Sequence, residues 1–451
     1  MESYHSLITS QREFFRTNQT KDVAFRLNAL KKLRSAVKLY EREFITALKT
    51  DLNKSEFEAY STEIGIILEE LRFTISKLRS WVKPVKVKTP ITHIGSASYV
   101  YSEPYGTTLI ISPWNYPFQL AAAPLIGAIS AGNCAIIKPS ELTPRTSQVF
   151  AKMIRDIFPQ NYVTVVQGGV ETSQALLQEE FGKIFFTGSI LVGKTVMEAA
   201  AKHLTPVTLE LGGKSPCIVH EDASLKLAAR RIAWGKFTNA GQTCIAPDYL
   251  YVHKRIKDRF LALLREAIHE MYEEQSMTRI VSDKHFDRLT SFLKQGEILL
   301  GGKSNREMLS IEPTILTDIT WDDRVMSDEI FGPILPVLEY TALDDVVEGI
   351  RKHPNPLALY LFTASTRIQN EVLNSISFGG GCINDTIYHF ANPHLPFGGV
   401  GTSGIGAYHG KNSFDVFSHK KSVLKQTTLF DIPFRYPHVK NALKRIKMFL
   451  K

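Results

Sequence analysis

Three short segments of this 451-residue chain carry side chains suited to covalent chemistry. In FTNAGQTC, Cys244 is flanked by small and polar residues where a helix gives way to a strand, a setting in which a thiol reaches solvent. Backbone N–H groups in such a loop lower a thiol pKa and steady an adjacent oxyanion, so Cys244 reads as a nucleophile. Cys134, Cys217 and Cys382 sit in apolar or glycine-rich runs and read as core. In VTLELGGK, alternation along a strand over 207–211 puts Leu209 and Leu211 on one face and Glu210 on the other. A carboxylate there is either a salt-bridged structural group or a general base whose pKa burial has raised. In SPWNYP, Pro113 and Pro117 restrict the loop around Asn115, whose amide either serves the turn or donates to a developing oxyanion.

Two further segments suit a phosphate and a ribose. FFTGSILVGK carries Gly188, Ser189 and Gly193 from a strand through a tight loop into a helix, which turns helix N-terminal N–H groups toward an anion. Its spacing matches neither the Walker pattern nor G-x-G-x-x-G, so by itself it equally describes an ordinary strand-to-helix turn. IIKPSE sets Lys138 and Glu141 at a strand end, where they either grip ribose hydroxyls or cap the next helix.

These segments need a scaffold. Residues 22–50 place Leu30, Leu33, Val37, Tyr40, Phe44 and Leu48 at spacings of three and four, which predicts one amphipathic helix. From 107 onward, strands over 108–111, 134–137 and 163–166 alternate with helices from 117 and over 146–157. That order builds an α/β fold with a parallel sheet covered on both faces, and ligands of such sheets lie at the carboxyl ends of the strands. The loops 112–116 and 138–141 fall there. The uncharged stretch 118–137 does not read as a membrane span, because Pro124 would interrupt the helix and Gly132-Asn133 stops it before a strand. After Gly212-Gly213 a second α/β block begins, with a strand over 216–219, a helix from the N-cap candidate Asp222 to about 237, and a strand over 249–253. Residues 90–106 and 411–428 are polar and β-prone and lie outside both blocks, which predicts a protruding sheet that pairs subunits.

The 54 basic against 45 acidic side chains leave a net charge of +9, which favours anionic partners without choosing among dinucleotide, acidic lipid and nucleic acid. The four cysteines contain no C-x-x-C pair, so neither a disulfide framework nor a metal site is expected. The opening MESYHSLITSQREFF lacks the apolar core of a secretory signal, and a reducing, cytoplasmic location is expected. At the other end, Val439, Ala442, Leu443, Ile446, Phe449 and Leu450 share one helical stripe ringed by Lys440, Lys444, Arg445, Lys447 and Lys451. Such a basic amphipathic tail either lies in the headgroup region of an anionic membrane or docks its stripe on protein, with Pro433 and Pro437 as a hinge.

In this order, SPWNYP, IKPSE, FTGSILVGK, LELGGKSP, FTNAGQTC, EIFGP and LPFGGVGTSG resemble the aldehyde dehydrogenase superfamily over almost the whole chain, to about Ser422. The segment GAYHGKNSFDVFSHKKS resembles the class 3 branch, which includes fatty and aromatic aldehyde dehydrogenases. The resemblance implies a Rossmann-like dinucleotide-binding domain (1–89 and 107–211), an α/β catalytic domain (212–410) and a small β oligomerisation sheet (90–106 and 411–428), and the basic tail (429–451) lies beyond the shared motifs. It makes Cys244 the nucleophile, Glu210 the base, and Asn115 with the backbone N–H of Cys244 the oxyanion hole. Lys138 and Glu141 would hold the adenosine ribose, and Gly188, Ser189 and Gly193 would lie beside the pyrophosphate. Glu329 and Phe331 would place the nicotinamide ribose and ring, with Trp114 alongside.

NAD is expected, with NADP tolerated, because Glu141 accepts a ribose hydroxyl and repels a phosphate while Lys138 partly offsets that repulsion. Trp114, Tyr116, Tyr388 and Phe390 near the expected channel suit medium or long aliphatic, or aromatic, aldehydes. A homodimer is implied, and nucleic acid is not among the expected partners. Ile190, where threonine is common, and a short segment between Glu274 and Arg279 depart from the pattern and should adjust loops alone. The intact LELGGK favours hydrolysis of the acyl-enzyme over transfer to coenzyme A. Cys244, Glu210 and Asn115 together argue against a catalytically silent scaffold.

Overall fold

The computed structural model describes residues 4–272 and 277–450. Residues 274–276 of the short segment, the Phe449 side chain and Lys451 lie outside the described residues. Val, Ile, Leu and Phe dominate the strands of two large sheets, as burial of both sheet faces between helices requires. In space the first sheet runs Val207–Glu210, Lys183–Thr187, Thr107–Ile111, Cys134–Lys138 and Val163–Val165, all parallel, with the short antiparallel strand Gly404–Ile405 beside Val207–Glu210. The second runs Glu297–Leu300, Thr314–Thr317, Ile334–Tyr340, Tyr249–His253, Pro216–Val219, Ala358–Phe362 and Gly380–Ile383, parallel except for its first strand. The chain leaves the first sheet at Glu210, crosses Gly212-Gly213, and enters the second at Pro216. It returns to the first sheet at Gly404.

The helix Gln119–Ala131 is buried along its whole length and leads into the buried strand Cys134–Lys138, so 118–137 is core. Pro124 lies inside that helix and does not end it, contrary to the sequence expectation. The ring removes one ladder hydrogen bond, and packing on every side of a fully buried helix outweighs that loss. Residues 22–50 form two helices, Val23–Leu39 and Glu41–Leu52, with Tyr40 at the break. The stripe residues Leu30 to Leu48 are all buried. Periodicity therefore located the buried face and passed over a kink that the Tyr40 hydroxyl, bonded to Asp156, holds in place.

Asp222 is not an N-cap. The helix Leu225–Phe237 follows Ser224, while Asp222 accepts from Thr363 Oγ1 at 2.7 Å and Ala364 N at 3.2 Å, tying a neighbouring loop. The protruding sheet consists of Val85–Val87, Ser96–Pro104 and Ser418–Gln426, the last two paired from Ser418↔Pro104 to Gln426↔Ser96. Inside the expected 411–428 block, Lys411–Val416 is helical. The tail forms the helix Ala442–Phe449, and its stripe divides. Ala442 is buried, and Ile446 and Leu450 line a cavity with Ile91, Ile94, Leu424 and Phe430, whereas Leu443 is exposed and Leu450 largely so. No helix of the described residues is long and apolar enough to cross a membrane.

Candidate active site

Two cavities meet at Cys244. The wider, about 590 Å³, is lined largely by apolar and aromatic groups, among them Tyr116, Leu120, Trp234, Ile387, Tyr388 and Phe390. The narrower, about 240 Å³, brings together Trp114, Asn115, Gly188, Ser189, Glu210, Cys244, Glu329 and Phe331, eight of the residues singled out from sequence. Trp114 belongs to this narrower cavity and not to the apolar one, which corrects its place in the expected channel. Lys138, Glu141 and Gly193 do not line either cavity.

Cys244 follows a turn whose Asn239 (φ 55°), Ala240 (φ 52°) and Gly241 (φ 70°) are all left-handed. Asparagine and glycine tolerate that region, and alanine adopts it only under constraint. A Cβ on Gly241 would lie 2.3 Å from the Gly332 carbonyl oxygen, so the nucleophile turn and the loop carrying Glu329 touch backbone to backbone. Asn239 Nδ2 donates to the Asn115 and Gln242 carbonyls, both at 3.0 Å, and fixes the turn. Burial pushes the Cys244 thiol up, and the Glu329 and Glu210 carboxylates push it the same way. The N–H groups of Cys244 and Ile245 oppose this without prevailing. The resting thiol is therefore protonated, which corrects the expectation of a lowered pKa: the donors are present, but desolvation outweighs them.

Glu210 closes the strand Val207–Glu210 and is buried. Among the described residues neither of its carboxylate oxygens has a hydrogen-bond partner. The salt-bridged alternative is thereby removed, and burial alone raises its pKa well above the carboxylate range. Glu329 is raised to about 8, first by burial and next by Asp248, while the Gly213 N–H, Lys214 and Arg288 hold it back. A Cβ on Gly212 would fall 2.0 Å from Glu329 Oε2, so only glycine leaves the carboxylate its seat. The loop carrying Glu329 and Phe331 (φ 53°) is clamped from several sides. Arg288 Nη1 donates to the Glu329 carbonyl at 3.1 Å, and His285 Nε2 to that of Phe331 at 2.8 Å. Ile330 N donates to Asp248 Oδ1 at 2.9 Å, and Asp248 in turn pairs with Lys214 at 2.6 Å.

Asn115 Nδ2 donates to the Gln242 carbonyl at 3.1 Å, leaving one amide N–H for the cavity. Its loop is anchored by a fully buried ion pair that sequence reasoning missed. Lys54 Nζ bonds Glu63 Oε1 at 2.6 Å and the Asn115 carbonyl at 3.0 Å. Glu63 Oε2 accepts from Phe118 N at 2.9 Å and Gln119 N at 3.0 Å, satisfying the first N–H groups of the helix Gln119–Ala131. Lys54, Glu63, Lys214 and Asp248 come from distant segments, and no local motif marks them.

On the cofactor side, Gly188 ends the strand Lys183–Thr187, and Ser189 caps the helix Ile190–Ala201 by accepting from Val192 N at 3.4 Å. Gly193 lies in the first turn, where a Cβ would meet Leu211 Cδ2 at 2.6 Å. The side chain is missing there because the helix packs against the strand that carries Glu210. Lys138 pairs with Glu141 at 2.8 Å. They do not cap the helix Pro144–Ile157, because Asp51 accepts from Arg145 N and Thr146 N at 3.2 and 2.7 Å.

The family model that matches this chain is the aldehyde dehydrogenase family, over residues 2–423. The chain is 50% identical over 445 residues to the 4,4'-diaponeurosporen-aldehyde dehydrogenase of Staphylococcus aureus, covering 97% of each. It is 44% identical over 418 residues to aldehyde dehydrogenase family 3 member A2 of Macaca fascicularis, covering 92% of this chain and 86% of the relative. Its fold matches a substrate-bound Staphylococcus aureus AldH with a TM-score of 0.98 at 49% identity over 100% of both chains. It matches an NAD+ complex of an aldehyde dehydrogenase from Bacillus cereus with a TM-score of 0.85 at 28% identity, over 93% of this chain and 88% of that one. A cysteine at the junction of two cavities, beside a buried carboxylate, thus occurs in a chain whose sequence pattern and architecture agree from end to end: it belongs to the aldehyde dehydrogenase family and is an oxidoreductase acting on aldehydes.

Proposed function

We propose that the protein oxidises a medium- or long-chain aliphatic, or aromatic, aldehyde to the carboxylic acid through a thiohemiacetal and a thioester on Cys244, with NAD preferred and NADP tolerated. The observation that carries this reading is the place of Cys244, where a largely apolar cavity of about 590 Å³ meets the narrower one holding Glu210. A hydrocarbon tail fits the first, and the reacting carbonyl then meets the sulfur. The relative from Staphylococcus aureus, named for 4,4'-diaponeurosporen-aldehyde, supports an aldehyde substrate.

The cofactor residues fit a dinucleotide. Gly188 and Ser189 face the narrow cavity at a helix N-terminus, which suits a pyrophosphate, and Trp114 stands edge-on to Phe331 at 5.4 Å where a planar ring would be flanked. Lys138 and Glu141 suit the adenosine ribose, and Glu329 the nicotinamide ribose. A bound nicotinamide dinucleotide supplies the hydride acceptor.

The chain's own residues do the rest. Cys244, its proton given up to solvent, attacks the carbonyl carbon, and the free N–H of Asn115 with the backbone N–H of Cys244 holds the oxyanion. Collapse leaves a thioester on the sulfur. Glu210 takes a proton from water as it adds to that thioester, and the thiolate leaves with the acid released. Glu210 ranks above Glu329 as base because its oxygens are uncommitted, whereas Glu329 already has the Gly213 N–H.

The exposed edge of Ser418–Gln426 suits pairing with a second copy, and a homodimer is part of this reading. The exposed Leu443, Met448 and Leu450 among Lys440, Lys444, Arg445 and Lys447 suit an anionic membrane surface. Binding to anionic vesicles should weaken with salt and vanish on removal of 438–451, and equal binding by the truncated protein ends the membrane part.

The test of the main reading is NAD reduction with aldehydes of rising chain length, with and without coenzyme A. Activity that grows with chain length and ignores coenzyme A is expected. Cys244→Ala should abolish it, and Glu210→Gln should give one burst of NADH followed by a negligible steady rate. Coenzyme A dependence, or normal turnover of Glu210→Gln, refutes the hydrolytic scheme.

A further inference from the structure

We propose that the Tyr408 hydroxyl positions the hydrolytic water for Glu210, so that Tyr408 is a positioning residue for deacylation; the inference rests on the reading of Glu210 as base. Tyr408 is fully buried and lines the narrow cavity with Glu210, Cys244 and Thr187. Among the described residues, its hydroxyl, both Glu210 oxygens and Thr187 Oγ1 form no hydrogen bond of ordinary geometry. Leaving a buried polar group unpaired is destabilising. Several such groups around one cavity therefore mark a polar guest, and a water held by two to four partners satisfies them together. The Gln119 amide approaches the hydroxyl oxygen as a donor, and Glu210 and Cys244 lie within its electrostatic reach; a hydroxyl oxygen accepts twice, so a lone pair stays for a guest.

Backbone geometry fixes the hydroxyl relative to the carboxylate. Gly404 and Ile405 pair antiparallel with Glu210 and Leu209, and Leu211 N donates to the Ser403 carbonyl at 3.1 Å. Phe397 and Tyr408 exchange hydrogen bonds of 3.0 and 2.8 Å. On the far side, Glu70 Oε1 accepts from Gly410 N at 2.9 Å. The ring itself packs against Phe185 at 5.1 Å and Phe397 at 5.8 Å. The loop is thus stitched to the strand that ends in Glu210, and the phenol cannot swing away without breaking that register.

In the deacylation step the water oxygen forms a bond to the thioester carbon, the C–S bond breaks, and sulfur leaves with the electron pair as thiolate. Glu210 takes one water proton. The phenol oxygen accepts a hydrogen bond from the other, which turns the water's lone pair toward the carbon, and the phenol keeps its own proton throughout.

Tyr408→Phe keeps the ring contacts and removes only the oxygen. In rapid-mixing experiments on the full chain with NAD and a saturated straight-chain aldehyde, the variant should keep the wild-type NADH burst rate while the steady rate falls at least tenfold. Acid quenching during the steady state should trap an acyl mass on the Cys244 peptide. Glu210→Gln is run beside it. A Tyr408→Phe enzyme with unchanged steady rate, or with burst and steady rates lowered in equal proportion, overturns the inference while a burst in Glu210→Gln leaves the base reading standing. Normal turnover of Glu210→Gln overturns both.

Discussion

Glu63→Gln tests whether a buried ion pair far from the cysteine sets the oxyanion donor. The side chains of Lys54 and Glu63 are both 0% exposed, and they bond at 2.6 Å. Removing the negative charge leaves a buried ammonium whose remaining contacts are the Asn115 carbonyl and the Tyr116 ring face at 4.2 Å. Breaking a buried pair from one side costs about 3–5 kcal/mol, and the ring contact draws the expectation toward the lower end. With an unfolding entropy on the order of 0.9 kcal/mol per degree for a chain of this size, the melting temperature should fall by about 3–5 °C. The same change weakens the acceptor for Phe118 N and Gln119 N, so the loop around Asn115 loosens at both ends. Small misplacements of a catalytic group cost up to about 100-fold, and a 10- to 100-fold slower NADH burst is expected. Differential scanning fluorimetry and rapid mixing measure the two effects. The double variant Lys54→Met with Glu63→Leu removes the unpaired ammonium but leaves Phe118 N and Gln119 N without an acceptor and Asn115 without its anchor, so neither the melting temperature nor the burst rate should recover in full. A single variant that melts within a degree of wild type and bursts at the normal rate would refute the reasoning.

Gly212→Ala should raise the KM for the dinucleotide severalfold with little change in melting temperature. The new Cβ displaces only the flexible end of Glu329, and an unchanged KM would show that Glu329 does not hold the cofactor. Burial holds Glu70 at about 7 against an ordinary 4.5, so its protonated form is favoured on folding. That contribution is complete below about 4.5, is lost as pH rises through 7, and amounts to roughly 3 kcal/mol. Glu70→Gln should therefore flatten the fall in stability between pH 5 and 8 in thermal melts, and an unaltered pH slope contradicts it. Because burial raises Glu210 above the carboxylate range, the steady rate should titrate above that range; a steady rate that titrates at the ordinary carboxylate value would exclude a buried Glu210 as the titrating base.

Sequence alone determined what depends on local order. The strand-and-helix alternation from Thr107 to Val165 was legible because period-2 and period-3.6 burial leave their mark residue by residue, and so was the buried face of the helices in 22–50. Of the eight residues that gather at the narrow cavity, Cys244, Glu210, Asn115, Gly188 and Ser189 were legible in their own short segments, whereas Trp114, Glu329 and Phe331 were implied only by the family resemblance. What only the tertiary structure decided are relations between segments far apart in the chain. Glu63 and Asp51 satisfy the N-termini of helices that begin at Gln119 and Pro144, and neither helix advertises a cap of its own. The Cys244 pKa was misjudged for the same reason: the N–H groups that lower it are local, while the desolvation and the two carboxylates that raise it come from the packed fold. Tyr408 lies in the segment GAYHGKNSFDVFSHKKS, which by itself gave it no role, and it gains its place through the pairing of Gly404 with Glu210. Charge, burial and long-range pairing are properties of the closed surface and not of the chain, so they become visible only when the two sheets and the loops between them have come together.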